Sequence, residues 1–198
     1  MSNYTIIRMQ KLNNTASIRR SLKHAFRDQD TPNADPAKLA DNTHFFADGV
    51  ASAMQNIKMR WPDKIRKNGV RLVEFLVTAS PEAMKAKTRT EQDAYFADAL
   101  KYIQDKHGAE NVAYAGIHRD ETTPHMYIYA VPLDDNGKLN CRQFYGAKNA
   151  LSDLQTDFTK AVGEPHGLTR GVMGSKAKHT SIKQYYARVN AVESMTLD

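Results

Sequence analysis

Residues 111–132 read NVAYAGIHRDETTPHMYIYAVP, and this stretch predicts the centre of the fold. Val112–His118 and Met126–Val131 are rich in β-branched and aromatic residues, which is typical of strands, and the polar segment between them is typical of a turn. Because side chains alternate between the two faces of a strand, we expect His118 and His125 to face the same space if the strands pair. The stretch therefore predicts a β-hairpin with two imidazoles at one end.

The turn of this hairpin carries a third potential metal ligand, Glu121. A lone histidine on a strand is more often an ordinary half-exposed residue. Here the pattern His-x-Asp-Glu-x-x-Pro-His places His118, Glu121 and His125 within one short segment. Two imidazoles and a carboxylate that converge on a sheet surface suit a divalent cation, so the sequence favours a metal site.

Composition bounds the class of protein. At 198 residues, with 41% hydrophobic and 25% charged residues, the chain has the length and balance of a globular domain with a real core. Lys and Arg outnumber Asp and Glu by 28 to 22, and this surplus favours a polyanionic partner such as nucleic acid. The single cysteine, Cys141, excludes an internal disulfide and is typical of a reducing cytoplasm. We expect neither a membrane span nor a signal peptide.

The remaining chain alternates predicted strands and amphipathic helices. Strands are predicted over Tyr4–Met9, Val70–Thr78 and Lys138–Phe144, and helices over Ala16–Phe26, Phe46–Trp61, Thr90–Lys106, Ala147–Val162 and Ser181–Val192. In the helix over residues 147–162, Leu151, Leu154 and Phe158 are expected to face the core. Residues 28–43 and 163–175 are predicted to be loops. Hairpins beside segregated helices predict an α+β domain with a largely antiparallel sheet flanked by helices.

Charged residues in this pattern suggest further functional positions. Glu74 is the one acid in its strand, and burying it without a partner would be costly, so a functional role is favoured. Basic residues cluster on the first helix, near the first strand and in two loops, where they would contact a phosphate backbone. These candidate DNA-binding residues are Arg8, Lys11, Arg19, Arg20, Lys23, Arg66, Lys67, Lys176, Lys178 and His179.

Four motifs in this order resemble those of the MobV family of plasmid mobilization relaxases, which have the HUH-type relaxase fold. RMQK at residues 8–11 with LKHAFR at residues 22–27 is similar to the family's His-x-x-Arg element, and the strand with Glu74 matches its centre. HRDETTPHM at residues 118–126 is close to the family's metal motif, and GSKAKHT at residues 174–180 also fits. One departure is Tyr127, where many members have a second histidine.

The resemblance implies a metal-dependent relaxase that nicks one DNA strand at a plasmid transfer origin and stays linked to the 5′ phosphate. By this resemblance His24 is the nucleophile, Glu74 orients or deprotonates it, and Arg27 holds phosphate. The implied partners are single-stranded or hairpin origin DNA and, beyond it, conjugative coupling machinery, in the cytoplasm of a bacterium that carries the plasmid.

The resemblance also implies that His118 and His125 hold Mn²⁺ or Mg²⁺, with Glu121 as a ligand or as a nearby acid or base. A neutral phenol is a poor ligand for a hard divalent ion, so Tyr127 leaves the third protein ligand open. Glu121, another residue such as His44, and water are the alternatives.

Two other classes of function stay open from the sequence. A rolling-circle replication initiator would use a tyrosine, for which Tyr185 and Tyr186 are the candidates, and a non-catalytic module would bind origin DNA only. We expect residues 1–180 to form the relaxase domain and residues 181–198 to form a C-terminal helix that could begin a linker to further domains.

Overall fold

A computed structural model describes residues 3–173 of the chain. Within these residues, six strands form one sheet in the order β2-β4-β5-β3-β1-β6. They are β1 (Tyr4–Leu12), β2 (Thr43–Phe45), β3 (Leu72–Ala79), β4 (Val112–His118), β5 (His125–Ala130) and β6 (Thr169–Arg170). Neighbouring strands are antiparallel except for β1 and β6, which are parallel. The predicted α+β class with a mostly antiparallel sheet is confirmed.

Helices cover both faces of this sheet. They are α1 (Thr15–Ala25), α2 (Val50–Met59), α3 (Pro81–Ala86), α4 (Arg89–His107), α5 (Cys141–Tyr145) and α6 (Ala150–Phe158). The first two pack on one face, and the other four pack on the opposite face. In the part of the chain that the structure describes, no helix is long and apolar enough to cross a bilayer.

The face under α1 and α2 follows the predicted helical periodicity. Ile18, Leu22 and Ala25 are fully buried on α1, as is Ile57 on α2. They pack against sheet residues that include Tyr129. The side chain of Asn14 accepts the Ser17 N–H at 2.8 Å and fixes the start of α1, in the usual manner of an N-cap. This packing sets the position of the C-terminal end of α1 over the sheet.

The central hairpin forms as predicted. β4 and β5 pair in antiparallel register with His118 opposite His125. Every residue of β4 is buried, and the register shifts between Val112 and Tyr114. The two histidines therefore lie side by side at the turn end of the hairpin, on the face that α1 covers.

The predicted strand over Lys138–Phe144 is wrong. After a turn at Gly137, Leu133 and Leu139 form an isolated bridge, and the chain then enters α5. Cys141 and Tyr145, four residues apart, are both buried against the α4 face. A segment of this length satisfies either a strand or a helix pattern, and here the i, i+4 contact with the core decides.

Two short strands lie in segments that were predicted to be loops. Residues 28–43 include the 3₁₀ helix Pro36–Asp41 and the first residue of β2, and residues 163–175 contain β6. Both are edge strands, and β2 pairs with residues of β4 that lie 70 to 74 positions later in the chain, which local composition does not reveal. Leu151 was predicted to face the core but is 53% exposed. Because α6 begins at Ala150 and not at residue 147, Leu151 lies in its first turn, before the buried Leu154 and Phe158. The helix predicted over Ser181–Val192 lies outside the described residues.

Candidate active site

The C-terminal end of α1 carries His24 and Arg27. The Asp28 N–H bonds to the Lys23 carbonyl at 2.8 Å and the Arg27 N–H bonds to the His24 carbonyl at 3.2 Å. This is the Schellman arrangement, in which the residue with left-handed backbone is usually glycine. Here that residue is Arg27, with φ of 59°. Such backbone costs a side-chain-bearing residue about 1–2 kcal/mol, so an arginine at this position is typical of a functional constraint.

The guanidinium of Arg27 joins α1 to the β4–β5 turn. Its Nε and NH2 donate to the two carboxylate oxygens of Asp120 at 2.8 and 2.7 Å, and NH2 also donates to Glu121 at 2.7 Å. Burial alone would raise the pKa of Asp120, but hydrogen bonds from Arg27 and Asn42 and the charge of Arg27 lower it to about 2. Asp120 is thus an anion that fixes Arg27. The remaining nitrogen, NH1, lies 3.5 Å from the Nε2 of His24.

His118 offers a buried nitrogen lone pair. Its Nε2 lies 2.8 Å from the Ala25 carbonyl oxygen, which can only accept, so Nε2 carries the proton. Its Nδ1 is buried and has no hydrogen-bond partner among the described residues. Burial first, and then the charges of His125 and Arg27, lower the pKa of His118 to about 3. A neutral imidazole with one anchored nitrogen and one free lone pair is the form that binds metal ions.

His125 and Glu121 complete this side of the site. The Nδ1 of His125 donates to the Thr123 carbonyl at 3.0 Å, which leaves Nε2 as the lone pair, 3.9 Å from Oε1 of Glu121. The other carboxylate oxygen of Glu121 accepts a hydrogen bond from the side-chain amide of Asn33. Asn33 lies in the segment between α1 and β2, which therefore lies beside the site.

These residues fit a divalent metal ion. Potential ligand atoms of His24, His118 and Glu121 all lie within 4.8 Å of one another, and the His118 and His125 rings are 5.1 Å apart. Both His118 and His125 have a nitrogen anchored on a backbone carbonyl, as metal-binding histidines usually do. The described contacts of His24 include no such anchor for its ring. This difference favours His118, His125 and Glu121 over His24 as the residues that could hold the ion.

The ring of His24 is half-buried between Arg27 and Tyr127. Its Nε2 lies 3.4 Å from the Tyr127 hydroxyl. Burial and the charge of Arg27 lower the pKa of His24, so the neutral imidazole predominates at neutral pH. Burial raises the pKa of Tyr127 above its ordinary value, so this tyrosine stays a neutral phenol.

Glu74 lies deeper on the same face of the sheet. It contacts the hydroxyl of Ser21, which in turn lies 2.6 Å from the hydroxyl of Tyr129. Burial raises the pKa of Glu74, although hydrogen bonds from these two hydroxyls oppose the shift. No described contact joins Glu74 to His24 directly. Ser21 precedes His24 by nearly one turn of α1, so Glu74 supports the helix turn below the imidazole.

The predicted basic residues separate into groups. The first group is exposed and comprises Arg8, Arg19, Arg20 and Lys23. The last three lie on α1. Arg8 pairs with Leu76, which pairs with Tyr127, so Arg8 lies on the face of the sheet that carries the site. Lys11 lies on the other face, where its Nζ donates to the Tyr145 carbonyl at 3.3 Å. Arg66 and Lys67 are exposed before β3, at the end away from the metal-binding histidines. Lys176, Lys178 and His179 lie outside residues 3–173.

Three site residues were not assigned a role from the sequence. They are Asn33, Asp120 and Tyr127. The alternation along β5 already puts Tyr127 on the face of His125, so this contact with His24 had a signal in the sequence. Asn33 and Asp120 had none, because their contacts join segments 88 and 93 residues apart.

Comparison with known proteins identifies the family. The family model described as plasmid recombination enzyme, Mob_Pre, matches residues 1–187. The chain belongs to this family. A 65 kDa protein of Zymomonas mobilis is 34% identical over 96% of the chain, and a plasmid recombination enzyme of Bacillus thuringiensis is 32% identical over 91%. These matches cover 33% and 42% of the two relatives, so the chain spans less than half of their length.

Solved structures of one family member share the fold. The MobM relaxase domain, in a Mn-bound crystal structure with plasmid pMV158 oriT DNA, matches with a TM-score of 0.80 at 24% identity. The match covers 93% of this chain and 99% of that domain. A second structure of the same domain, with a 26-nucleotide oriT DNA, has a TM-score of 0.67 at 25% identity. The HUH-type relaxase fold expected from the sequence is confirmed.

Proposed function

We propose that this chain is the relaxase domain of a DNA strand transferase, which nicks one strand at a plasmid transfer origin and remains linked to its 5′ phosphate. The observation that carries the proposal is the approach of His24 to His118 and Glu121, with ligand atoms within 4.8 Å and the Arg27 guanidinium beside them. This combines a nucleophile, a metal-binding group and a cation in one place. Residues 1–180 form the domain in this proposal.

The proposed metal-binding residues are His118, His125 and Glu121. Imidazole, carboxylate and water ligands together suit Mn²⁺ or Mg²⁺, and the bound ion would supply Lewis-acid polarisation of the scissile phosphate. The unpartnered Nδ1 of His118 supports this assignment. The Mn-bound crystal structure of the MobM domain, which has the same fold, supports the choice of metal.

His24 is the proposed nucleophile. A lone pair of its neutral imidazole attacks phosphorus, and the bond from phosphorus to the 3′ oxygen breaks. The imidazole then loses its N–H proton and the 3′ oxygen takes up a proton, which leaves a histidine phosphoramidate and a free 3′ hydroxyl. The lowered pKa of His24 supports this role, and the raised pKa of Tyr127 disfavours Tyr127. NH1 of Arg27, close to His24 Nε2, would hold the phosphate oxygens.

Glu74 acts in this proposal as a positioning residue, through Ser21. Exposed Arg19, Arg20 and Lys23 on α1 would contact the phosphate backbone of single-stranded or hairpin origin DNA, so affinity should fall steeply with salt. The reaction would take place in the bacterial cytoplasm, where the free thiol of Cys141 stays reduced. Conjugative coupling machinery is the proposed partner beyond DNA.

The test is nicking of a supercoiled plasmid that carries the coding sequence with its flanking DNA, with and without Mn²⁺. We expect Mn²⁺-dependent nicking at one position and a protein–DNA adduct that breaks in mild acid, because it contains a nitrogen–phosphorus bond. His24→Ala should lose both nicking and adduct but retain DNA binding. Tyr127→Phe, Tyr185→Phe and Tyr186→Phe should each still form the adduct. Glu74→Gln should slow nicking, with the effect of a catalytic proton-transfer group, about 10²–10⁴-fold, as the upper bound.

Two results would replace this proposal. An acid-stable adduct on a tyrosine would identify a tyrosine-dependent enzyme of the replication-initiator type. DNA binding without nicking at any Mn²⁺ concentration would identify a non-catalytic origin-binding module.

A further inference from the structure

His44 is an exposed side chain held by two neighbours. It lies on β2 opposite Gly116 of β4, on the face of the sheet that carries the site. Its ring stacks on Phe26 with centroids 4.9 Å apart and planes at 17°, and its Nδ1 lies 2.8 Å from the Tyr114 hydroxyl. An exposed imidazole that is fixed both by stacking and by a hydrogen bond presents its remaining edge in one orientation.

The sheet is built to allow this contact. Tyr114 and Gly116 are two residues apart on β4, so they share a face. A Cβ at Gly116 would lie 2.3 Å from the Tyr114 hydroxyl oxygen, which is closer than atoms can approach. The absence of a side chain at Gly116 therefore lets the buried tyrosine reach His44.

The hydrogen bond sets the tautomer of His44. Among the described contacts, the Tyr114 hydroxyl has no acceptor other than the Nδ1 of His44, so the hydroxyl donates and Nδ1 accepts. In the neutral ring the proton then lies on Nε2, on the side of the ring away from Tyr114. Burial and the charge of Arg27 lower the pKa of His44, which keeps the ring neutral. His44 thus presents one N–H donor and no charge.

This donor lies close to the candidate active site but outside the metal-binding group. Phe26, on which His44 stacks, directly precedes Arg27, and Gly116 lies two residues before His118. In the described residues, the cluster of potential metal ligands comprises His24, His118 and Glu121 and not His44. An N–H donor near a phosphate-binding arginine suits a phosphodiester oxygen, the commonest kind of acceptor in protein–DNA contacts.

We propose that His44 donates its Nε2 hydrogen to a phosphodiester of single-stranded DNA adjacent to the scissile phosphate. This inference rests on the proposed relaxase function. The contact positions the strand without adding charge, so it differs in kind from the contacts of the lysines and arginines on α1.

The test uses an oligonucleotide that spans the mapped nick site, with methylphosphonate placed one at a time at the phosphates around it. Replacement of a phosphate in this way removes its charge and one acceptor oxygen. His44→Ala and His44→Phe should both weaken binding of the unmodified strand by at least about 10-fold, the low end of the loss for a hydrogen bond to a charged group. With methylphosphonate at one particular position, wild type and both variants should bind the oligonucleotide with equal affinity.

Controls separate the donor from other roles. His44→Phe keeps a ring on Phe26, so wild-type affinity in this variant alone would show stacking and overturn the proposal. If the His44 variants bind more weakly than wild type by the same factor at every methylphosphonate position, His44 has a structural role, and the proposal is overturned as well. His44→Phe should leave the salt dependence of binding unchanged, whereas Lys23→Ala should lower the slope by about 1. His166→Phe, on the α4 face beside Asp98, should bind as wild type does.

Failure of this inference is distinguishable from failure of the proposed function. If the wild-type protein nicks its origin and the His44 variants bind every oligonucleotide as tightly as it does, only the role of His44 is wrong. If no nick site can be mapped with Mn²⁺, the relaxase proposal and the role of His44 fail together.

Discussion

Two buried histidines lie on opposite faces of the sheet, and only one of them belongs to the candidate active site. His107 ends α4, and its Nε2 lies 2.8 Å from the Tyr145 hydroxyl. His118 ends β4, and its Nε2 donates to Ala25. In both rings Nδ1 is buried without a partner among the described residues. Burial is the first cause of a lowered pKa in both, to about 4 for His107 and about 3 for His118.

The neighbours of the free nitrogen distinguish the two. His107 is surrounded by the rings of Phe75, Phe144 and Tyr145, which offer no metal ligand. His118 shares its surroundings with His24, Glu121 and His125. A perturbed pKa and an unpartnered nitrogen therefore do not identify a site by themselves. They do so where other ligands converge on the same point.

The largest expected effect is on metal binding. His118→Ala should weaken Mn²⁺ binding by more than the roughly 10–100-fold that loss of an outer-shell partner causes, because it removes a ligand. His107→Phe should bind Mn²⁺ as wild type does. Isothermal titration with Mn²⁺ in the absence of DNA measures both, and thermal unfolding checks that each variant is folded. Equal losses of Mn²⁺ affinity in His118→Ala and His107→Phe would contradict the assignment of His118 as a metal ligand.

The second expected effect is on stability and belongs to His107. Below pH 6.5 the unfolded chain protonates this histidine, while the folded chain keeps it neutral down to about pH 4. Stability is therefore fully present above pH 6.5 and is lost as the pH falls toward 4, by about 3 kcal/mol for a shift of this size. His107→Phe should flatten the pH dependence by that amount in urea unfolding without metal. An unchanged slope would show that His107 protonates in the folded protein.

The fold was predictable from the sequence where buried side chains recur at the regular spacing of a helix or a strand. The stripe of Ile18, Leu22 and Ala25 on α1 and the alternation in the central hairpin both led to the observed elements. The segment at Cys141–Tyr145 was not, because five residues carry too little periodicity to separate a strand from a helix. Edge strands β2 and β6 were missed because their pairing partners lie far away in the chain.

The site was predictable in part. His118, Glu121 and His125 came from one local motif, and the structure brings them together. The roles proposed for His24 and Arg27 came from resemblance to a family, since a histidine on a basic helix carries little signal alone. The contacts of Glu121 with Asn33 and of Glu74 with Ser21 had no signal, because they depend on how separate segments pack.

The smallest expected effect concerns Asn33, which contacts the proposed metal ligand Glu121 without being a ligand itself. Asn33 donates to Oε2 of Glu121, whereas Oε1 accepts from Arg27 and is the oxygen nearest His125. The neutral amide of Asn33 therefore helps to fix the orientation of this carboxylate without adding charge. Asn33→Ala should weaken Mn²⁺ binding about 10-fold, at the low end of the range for such partners, with little change in melting temperature. Thr31→Ala is the matched control, because within residues 3–173 its hydroxyl bonds only to Gln29 in the same segment. Equal Mn²⁺ affinities in the two variants would show that Glu121 needs no support from Asn33, and that convergence of ligands alone separates His118 from His107.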